Sequence, residues 1–378
     1  MDPRVAMVAG ETSGDLLAGL LLAGMRRRWP QLSAAGIGGP QMAAHGFEAW
    51  WPSEKLAVRG YVEVLRHYRE IVGIRRQLQE RVLRERPQAF IGVDAPDFNL
   101  VLEERLRSEG VRTVQFVCPS IWAWRAERIQ LIRRACDHVL CIFPFEPDLL
   151  RGRGVAATYV GHPLASVIPL EPDRDGARAQ LGLAQDAQVV AILPGSRSAE
   201  IQYLARPFFE AAMLVRRHRP GVQFVVPAIP ALKARIEAAA RAAGLVDGVQ
   251  VLDGRSHVAL AACDATLIAS GTATLEAMLF KRPMVIGYRM NPISWQITQM
   301  KRLQPWVGLP NILSEDFVVP ELLQGDATPA RFARALLEWL EAPDRMAAVQ
   351  EKFTVLHHRL RRDTASLATD AIEKVLHG

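Results

Sequence analysis

The sequence contains no apolar run long enough to cross a bilayer, since a spanning helix needs about 20 consecutive apolar residues. Its start, Met1-Asp2-Pro3-Arg4, lacks the basic segment and long apolar core of a secretory signal, so we expect a cytoplasmic protein. The cysteines stand in apolar runs without C-x-x-C spacing, which argues against a zinc site or disulfides and predicts buried free thiols. They are Cys118, Cys136, Cys141 and Cys263.

Signatures of nucleic-acid recognition are also missing. There is no zinc-finger, RNP-type aromatic or helix-turn-helix pattern, so we expect no nucleic-acid partner. The net charge of +6 nevertheless favours an anionic partner, either a phosphorylated substrate or an anionic membrane surface. A general excess of surface arginine explains the same charge.

Short apolar runs alternate with helical patterns along the whole chain, which is typical of parallel α/β units. The 378 residues exceed what one hydrophobic core usually supports. We therefore predict two Rossmann-like domains at 1–168 and 169–345, joined by a proline-rich linker, with their parallel sheets facing across a ligand-binding cleft. A last helix, 346–378, completes the chain and is a candidate to pack back on the first domain.

Two small-residue turns in the second half join a predicted strand to a predicted helix. Gly195-Ser196-Arg197 follows Val189–Leu193, and Ser270-Gly271-Thr272 follows Ala265–Ala269. Free backbone N–H groups at a helix start bind anions. With an arginine in the first turn and Glu276 one helical turn beyond the second, the pattern indicates a nucleotide diphosphate, its phosphates near the arginine and its ribose near the glutamate.

The first half begins with a glycine-bearing loop, 9–15, before a helix predicted to open at Leu16. The loop is not G-x-G-x-x-G, so dinucleotide binding is weakly supported. Ser13 and Asp15 are explained either as helix caps or as site residues, whereas Glu11 is harder to explain as a cap.

Asp94 directly follows the predicted strand Ala89–Val93, so its carboxylate should project from the sheet edge, where it can act as a general base. Asp97 is a candidate cap for the next helix. A magnesium site built from the two aspartates is an alternative, although the spacing differs from the D-x-D of metal-dependent sugar transfer.

Two tryptophans flank one alanine in the segment 119–125. Both cannot point into a core, so we expect one to pack and the other to line an acceptor surface. The candidates for that surface include Trp124 and Arg125.

A basic amphipathic stretch between 56 and 82 has two interpretations. It either lies on an anionic bilayer or covers its sheet as an ordinary helix. The membrane interpretation rests on an apolar stripe with an arginine-rich flank, represented by Val62, Leu65, Arg66, Arg69, Ile71 and Arg76.

These motifs, in this order and spacing from about residue 5 to 315, resemble the lipid-A-disaccharide synthase family. They are AGETSGD at 9–15, GVDAPDFN at 92–99, PSIWAWR at 119–125, LPGSR at 193–197, ASGTATLE at 269–276 and LPN at 309–311. The resemblance implies an inverting GT-B glycosyltransferase that works without metal or cofactor. Its substrates would be UDP-2,3-diacylglucosamine and 2,3-diacylglucosamine 1-phosphate, and its products a β-1,6-linked disaccharide 1-phosphate and UDP.

The resemblance also implies residue roles. Asp94 would be the general base, with Glu11 completing the site, and Ser13, Trp124 and Arg125 would face the acceptor. The UDP-sugar would be held by Ser196, Arg197, Ser270, Gly271, Thr272, Glu276 and Asn311. The protein would sit peripherally on the cytoplasmic face of the inner membrane, and a homodimer is one candidate assembly. A UDP-N-acetylglucosamine 2-epimerase-like enzyme on the same fold is the main alternative, and an exported two-lobed sugar-binding protein is a weaker one.

Overall fold

The computed structural model describes residues 2–10, 12–53, 56 and 61–377, with the backbone alone at 12, 61–68, 293 and 297. The chain divides into two compact units. The first unit comprises Met1–Ser166 and Arg359–Gly378, and the second comprises Val167–His358.

Within the described residues, the first unit is built on a seven-stranded sheet in which every strand pair is parallel. Its strands are β1 (Arg4–Ala9), β2 (Ser33–Gly38), β3 (Glu48–Pro52), β4 (Ala89–Val93), β5 (Arg112–Phe116), β6 (His138–Cys141) and β7 (Ala157–Tyr159). The spatial order is β3-β2-β1-β4-β5-β6-β7. Strand β4 is buried along its whole length because it lies between β1 and β5.

Helices connect these parallel strands, as the crossover between two parallel strands requires. They are α1 (Thr12–Arg28), α2 (Pro40–Ala43), α3 (Tyr61–Glu85), α4 (Pro96–Ser108), α5 (Ile129–Ala135), α6 (Glu146–Arg151) and α7 (Pro163–Val167). Helix α1 begins at Thr12 and not at Leu16 as predicted, so the polar residues 13–15 form its first turn.

The second unit has a six-stranded sheet in the described part of the chain, also parallel throughout, in the order β10-β9-β8-β11-β12-β13. Its strands are β8 (Val189–Leu193), β9 (Gln223–Ala228), β10 (Val249–Asp253), β11 (Ala265–Ala269), β12 (Met284–Tyr288) and β13 (Glu321–Leu323). The helices are α8 (Arg174–Leu181), α9 (Ser198–His218), α10 (Pro230–Ala242), α11 (Ser256–Ala262), α12 (Thr272–Leu279), α13 (Pro292–Lys301), α14 (Leu309–Ser314), α15 (Pro329–Leu340) and α16 (Pro343–Leu360).

The end of the chain contains two helices where the sequence pattern predicted one. Helix α16 ends at Leu360, and α17 (Thr364–His377) follows after a short break. Helix α17 packs against α1 and against strands β5, β6 and β7 of the first sheet. Arg28 of α1 anchors it through ion pairs with Asp370 at 2.6 Å and Glu373 at 2.5 Å.

The core of each unit is apolar and lies on the faces of its sheet. All four cysteines are buried free thiols, which confirms the sequence-based prediction. Among the helices of the described residues, none is long and apolar enough to cross a membrane.

Candidate active site

Asp94 lies on a sharp turn between β4 and α4. Asp94 and Ala95 both adopt the left-handed conformation, with φ angles of 53° and 40°. Residues other than glycine rarely occupy this region, and such strain concentrates at functional sites. The turn directly follows a buried strand and leaves Asp94 half-buried. The carboxylate therefore stands at the carboxyl edge of the sheet, as the sequence predicted for a candidate base.

Two buried amides hold the backbone of this turn. Asn99 Nδ2 donates to the carbonyl oxygen of Asp94 at 2.9 Å, and Gln115 Nε2 donates to the same oxygen at 3.0 Å. The backbone N–H of Asp94 donates to the carbonyl of Phe116. Asp94, the candidate base, is thus fixed through its main chain. Sequence reasoning missed this role of Asn99 and Gln115, because polar residues inside an apolar run were their only signal.

In the segment after β1, the structure differs from the interpretation of Ser13 and Asp15 as caps of α1. Glu11 lies outside the described residues, and Ser13 is exposed on the first turn of α1. The buried Asp15 accepts backbone N–H groups of Gly39, Gln41 and Met42 at 2.9 to 3.1 Å. Asp15 therefore caps α2, a helix 24 or more residues away, and not its own helix.

The segment 119–125 separates its two tryptophans. Trp122 is half-buried against Phe143 and Phe145, and its indole N–H donates to Glu146 Oε1 at 3.0 Å. Burial raises the pKa of Glu146 to about 8. Trp124 is 40% exposed. Trp122 is therefore the tryptophan that packs, and Trp124 is available to a ligand.

Arg125 stacks on the exposed tryptophan and belongs to a small charged group. Its guanidinium lies 4.2 Å from the Trp124 ring centroid and 3.5 Å from Asp97 Oδ1. Asp97 also pairs with Arg128. The predicted cap role of Asp97 is wrong, because α4 starts at Pro96 with Ala95 as its N-cap residue and makes no side-chain cap hydrogen bond. Two arginines facing one carboxylate leave a net positive charge beside Trp124.

The turn between β8 and α9, the first of the two turns predicted to bind phosphate, is occupied by a side chain of α9. Ser196 and Arg197 are exposed between β8 and α9. Their backbone N–H groups donate to Glu200 Oε2 at 2.8 and 3.2 Å, and Arg197 Nη1 donates to Glu200 Oε1 at 3.0 Å. Gly195 has a φ of 128°, and a Cβ there would meet the Glu200 side chain. The N–H groups predicted to be free for phosphate thus hold a carboxylate.

The turn between β11 and α12, the second of the two predicted turns, leaves the start of α12 without a side-chain cap. Gly271, with φ 151°, precedes α12, and Gly271 and Thr272 are exposed. Ser270 donates its hydroxyl to the carbonyl of Val307 at 3.0 Å, and Thr274 donates to the carbonyl of Gly271 at 2.8 Å. The backbone N–H groups at the start of α12 are therefore better placed for an anion than those of α9.

Glu276 lies one turn into α12, where its side chain is 21% exposed. His257 Nε2 of α11 lies 3.6 Å from Glu276 Oε2, and the His257 ring also contacts Phe280. The histidine was not anticipated, because α11 carries no motif.

Asn311 is fully buried. Its amide donates to the carbonyl of Val319 and to Glu321 Oε1, both at 2.9 Å, and its oxygen accepts from the N–H of Val319 at 3.0 Å. Glu321 in turn accepts the N–H of Val307 and of Gly308. Asn311 was predicted to contact UDP directly, but its side chain is not exposed to a ligand. Asn311 instead braces the loop that Ser270 contacts.

Helix α3 contains the basic stretch, and its described side chains differ in exposure. The side chains of Val62, Leu65 and Arg66 lie outside those described. Arg69 and Arg76 are exposed, as a surface role requires. Ile71 instead packs against the core, next to buried residues of the same helix, so its assignment to the membrane face is corrected. The later half of α3 is a sheet-covering helix; the buried residues are Ile74, Leu78 and Val82.

Solved structures resemble this chain in fold. A UDP-N-acetylglucosamine 2-epimerase from Neisseria meningitidis gives a TM-score of 0.66 at 10% identity and covers 100% of both chains. MurG from Acinetobacter baumannii gives 0.60 at 15% identity over 98% of this chain and 99% of that one. The predicted α/β class with two parallel sheets of the GT-B type is confirmed, and at these identities the likeness extends to the fold alone.

The family is decided by sequence. A family model described as lipid-A-disaccharide synthetase matches residues 5–374. The chain is 65% identical to the lipid-A-disaccharide synthase of Albidiferax ferrireducens, covering 99% of this chain and 98% of that protein. It is 53% identical to the enzyme of an Azoarcus species, covering 98% and 96%. The chain therefore belongs to the lipid-A-disaccharide synthases, the glycosyltransferases of lipid A biosynthesis.

Proposed function

We propose that this chain transfers a diacylglucosamine unit from UDP-2,3-diacylglucosamine to the 6-hydroxyl of 2,3-diacylglucosamine 1-phosphate, with inversion, and that Asp94 is the general base. The observation that carries the proposal is the strained turn that presents Asp94 at the carboxyl end of the buried strand β4. A base must be held in one geometry to act, and two amides brace this turn.

The proposed reaction is a single displacement. Asp94 takes the proton of the acceptor hydroxyl while its oxygen forms the β-1,6 bond to the anomeric carbon. The bond between that carbon and the diphosphate breaks, and UDP leaves with the electron pair. Glu11 remains a proposed partner of the base.

The second unit is the proposed UDP site. The start of α12 offers N–H groups for the diphosphate, with Gly271 and Thr272 exposed there. Arg197, whose side chain is 63% exposed, adds a charge-assisted contact with phosphate once it leaves Glu200. Glu276 is the proposed ribose acceptor. These groups would stabilise the departing UDP in place of a metal ion.

Ser196 and Ser270 have different proposed roles. Ser196 is exposed beside Arg197 and can reach the UDP directly. The Ser270 hydroxyl already donates to Val307, so it can offer the ligand only its oxygen as an acceptor. Asn311 is proposed to act indirectly, through Glu321.

The acceptor is proposed to bind beside Trp124 and Arg125 in the first unit, and Ser13, exposed on the first turn of α1, is proposed to contribute to the acceptor site. An aromatic face suits the sugar or its acyl chain, and the arginine suits the 1-phosphate. We also propose that the exposed arginines of α3 hold the protein on the anionic inner membrane, where both acylated substrates reside. A homodimer remains part of this proposal and is checked by sedimentation equilibrium.

The test is a product assay with the two diacylated glucosamine substrates, with and without EDTA. We expect disaccharide 1-phosphate and UDP in both cases. Replacing the base, Asp94→Ala, should lower kcat by about 10²- to 10⁴-fold and leave UDP affinity unchanged. Asp148→Ala, which removes an exposed carboxylate of α6, is the control and should keep most of the turnover. Near-normal kcat in Asp94→Ala, or an equal loss of UDP affinity, would refute the base assignment.

A further inference from the structure

A cluster of buried polar side chains lies behind the Asp94 turn. It consists of Asn99 and Glu103 of α4 and Gln115 of β5, each 0% exposed. Polar side chains are rarely buried so completely unless their hydrogen bonds are satisfied. Each polar atom of this cluster is therefore expected to have a hydrogen-bond partner in the protein.

The orientation of the Asn99 and Gln115 amides follows from the backbone carbonyls around their nitrogens. Asn99 Nδ2 lies near the carbonyl oxygens of Asp94 and Val93, at 2.9 and 3.4 Å. Gln115 Nε2 lies 3.0 to 3.4 Å from the carbonyls of Asp94, Phe116 and Val117. Carbonyl oxygens only accept, so the nitrogens must face them. Both amide oxygens therefore point away from the turn.

The Gln115 amide oxygen lies on the same side of Gly92 as a carboxyl oxygen of Glu103. Asn99 Oδ1, Gln115 Oε1 and Glu103 Oε1 are buried, and within the described residues no hydrogen bond of normal geometry reaches any of them, although the backbone N–H of Gly92 faces the Glu103 carboxyl and acts to lower its pKa. Gly92 makes room for two of them. A Cβ at this position would collide with Glu103 Oε1 and stand 2.8 Å from Gln115 Oε1. Converging acceptors without a donor repel one another unless one of them carries a proton.

Glu103 is the member that can carry the proton. Burial raises its pKa to about 8, so the neutral acid persists at pH 7. The other titratable group facing it is Cys136, whose Sγ donates to Glu103 Oε2 at 3.3 Å. Burial raises the pKa of the Cys136 thiol well above its usual value. The charges of Arg107 and Asp137 act on that thiol and pair with each other at 2.9 Å. Asp94 is the remaining titratable group near the cluster, and it lies on the other side of the Asn99 and Gln115 amides.

We propose that Glu103 is a positioning residue for Asp94: its neutral carboxylic acid donates to Gln115 Oε1 and so fixes the amides that hold the Asp94 carbonyl. The role rests on the proposed function of Asp94 as the base. Glu103 does not touch substrate. Its ionisation removes the donor and places a negative charge near the Gln115 amide oxygen, which should loosen the strained turn.

Three variants test this role in the full-length protein. Glu103→Gln keeps an acceptor for Cys136 and supplies an N–H donor that does not ionise. Glu103→Leu keeps the approximate volume and supplies no donor. Glu104→Gln, at the neighbouring position that pairs with Arg134 on the surface, is the matched control. The measurements are kcat and donor KM from pH 6 to 9.5, with infrared detection of a protonated carboxylic acid at pH 7.

We expect the protonated-acid carbonyl band of the wild type and of the control to be weaker in Glu103→Gln, where Glu146, whose pKa burial also raises to about 8, still contributes. At pH 7, Glu103→Gln should retain kcat within about twofold, while Glu103→Leu should lose about 10- to 100-fold in kcat with donor KM unchanged, because a base displaced by about 1 Å loses rate of that order. Above about pH 8 the wild-type kcat should fall, and the Glu103→Gln profile should stay flatter.

Full kcat in Glu103→Leu, or wild-type and Glu103→Gln profiles that fall together, would overturn the positioning role. An acid band of equal intensity in the wild type and in Glu103→Gln would overturn the protonated state of Glu103. The base assignment is tested separately by Asp94→Ala, and its failure would not change the infrared result. If Glu103→Leu does not fold, the comparison of wild type with Glu103→Gln across pH still decides the matter.

Discussion

Glu200 Oε2 accepts the backbone N–H of Ser196 at 2.8 Å, so the start of α9 is capped by a carboxylate from within the helix. The same carboxylate holds the N–H and the guanidinium of Arg197. An anion already occupies the turn that the sequence predicted for phosphate. The interaction has a consequence for stability and another for nucleotide binding.

For stability, Glu200→Ala should lower the free energy of unfolding by about 1 kcal/mol, because a helix start loses its capping acceptor. Urea unfolding followed by circular dichroism measures the change. The control is Glu210→Ala, which breaks an exposed pair with Arg206 in the same helix and should leave the midpoint unchanged. Equal midpoints for both variants would show that the cap contributes nothing.

For nucleotide binding, Arg197→Ala should weaken UDP by about tenfold, since a charge-assisted phosphate contact disappears. Isothermal titration calorimetry with UDP gives the affinity, and kcat at saturating donor should change less. Arg206→Ala, an exposed arginine two turns further along α9, serves as the control. An affinity equal to that of the wild type would mean that Arg197 faces away from the diphosphate.

The charged group beside Trp124 predicts how the acceptor phosphate is recognised. Arg125→Ala should raise the acceptor KM by about tenfold and leave donor KM unchanged. It should also reduce the preference for the 1-phosphate over the dephosphorylated acceptor. Arg134→Ala removes an arginine of α5 that pairs with Glu104 and provides the comparison. Retention of the full preference by Arg125→Ala would assign the phosphate to other residues.

The arginines of α3 predict a salt-sensitive attachment to membranes. Charge reversal at Arg66, Arg69 and Arg76 should release the protein from anionic vesicles in a sedimentation assay, and added salt should release the wild type. The control reverses three exposed arginines of the second unit, namely Arg217, Arg241 and Arg334. Equal sedimentation of both variants would leave α3 as a sheet-covering helix only.

Two buried acids predict how stability changes with pH. Burial raises the pKa of Glu103 and of Glu146 to about 8, from 4.5. Between those values the folded chain keeps protons that the unfolded chain releases, so rising pH favours unfolding. Each group contributes a loss of up to about 1.4 kcal/mol per pH unit, which ends near pH 8.

The window for this measurement is pH 6.5 to 8. Burial lowers the pKa of His162 from 6.5 to about 4, which acts in the opposite direction below pH 6.5. Urea unfolding of the first unit should show a slope about half as steep in Glu103→Gln as in the wild type. Glu104→Gln should keep the full slope. A wild-type stability independent of pH in this range would contradict the raised values.

Much of the fold was predictable because its strands are short apolar runs bounded by turns. The buried strands β4, β8 and β11 have the predicted bounds. The edge strands β3 and β13 were missed. β3 is only partly buried and ends in proline, and β13 has three residues, so neither carries the pattern of a buried strand.

The candidate site, like the fold, was predictable from the sequence only in part. The sequence by itself determined the family, the parallel α/β architecture and the position of Asp94 after β4, because these depend on neighbouring residues and on motif order. Only the tertiary structure decided that Asp15 caps α2, that Asn311 is turned inward to Glu321 and that Gln115 braces the Asp94 turn. The reason is physical: a buried polar group takes its role from partners that folding brings to it, and the residues next to it in the chain do not reveal them.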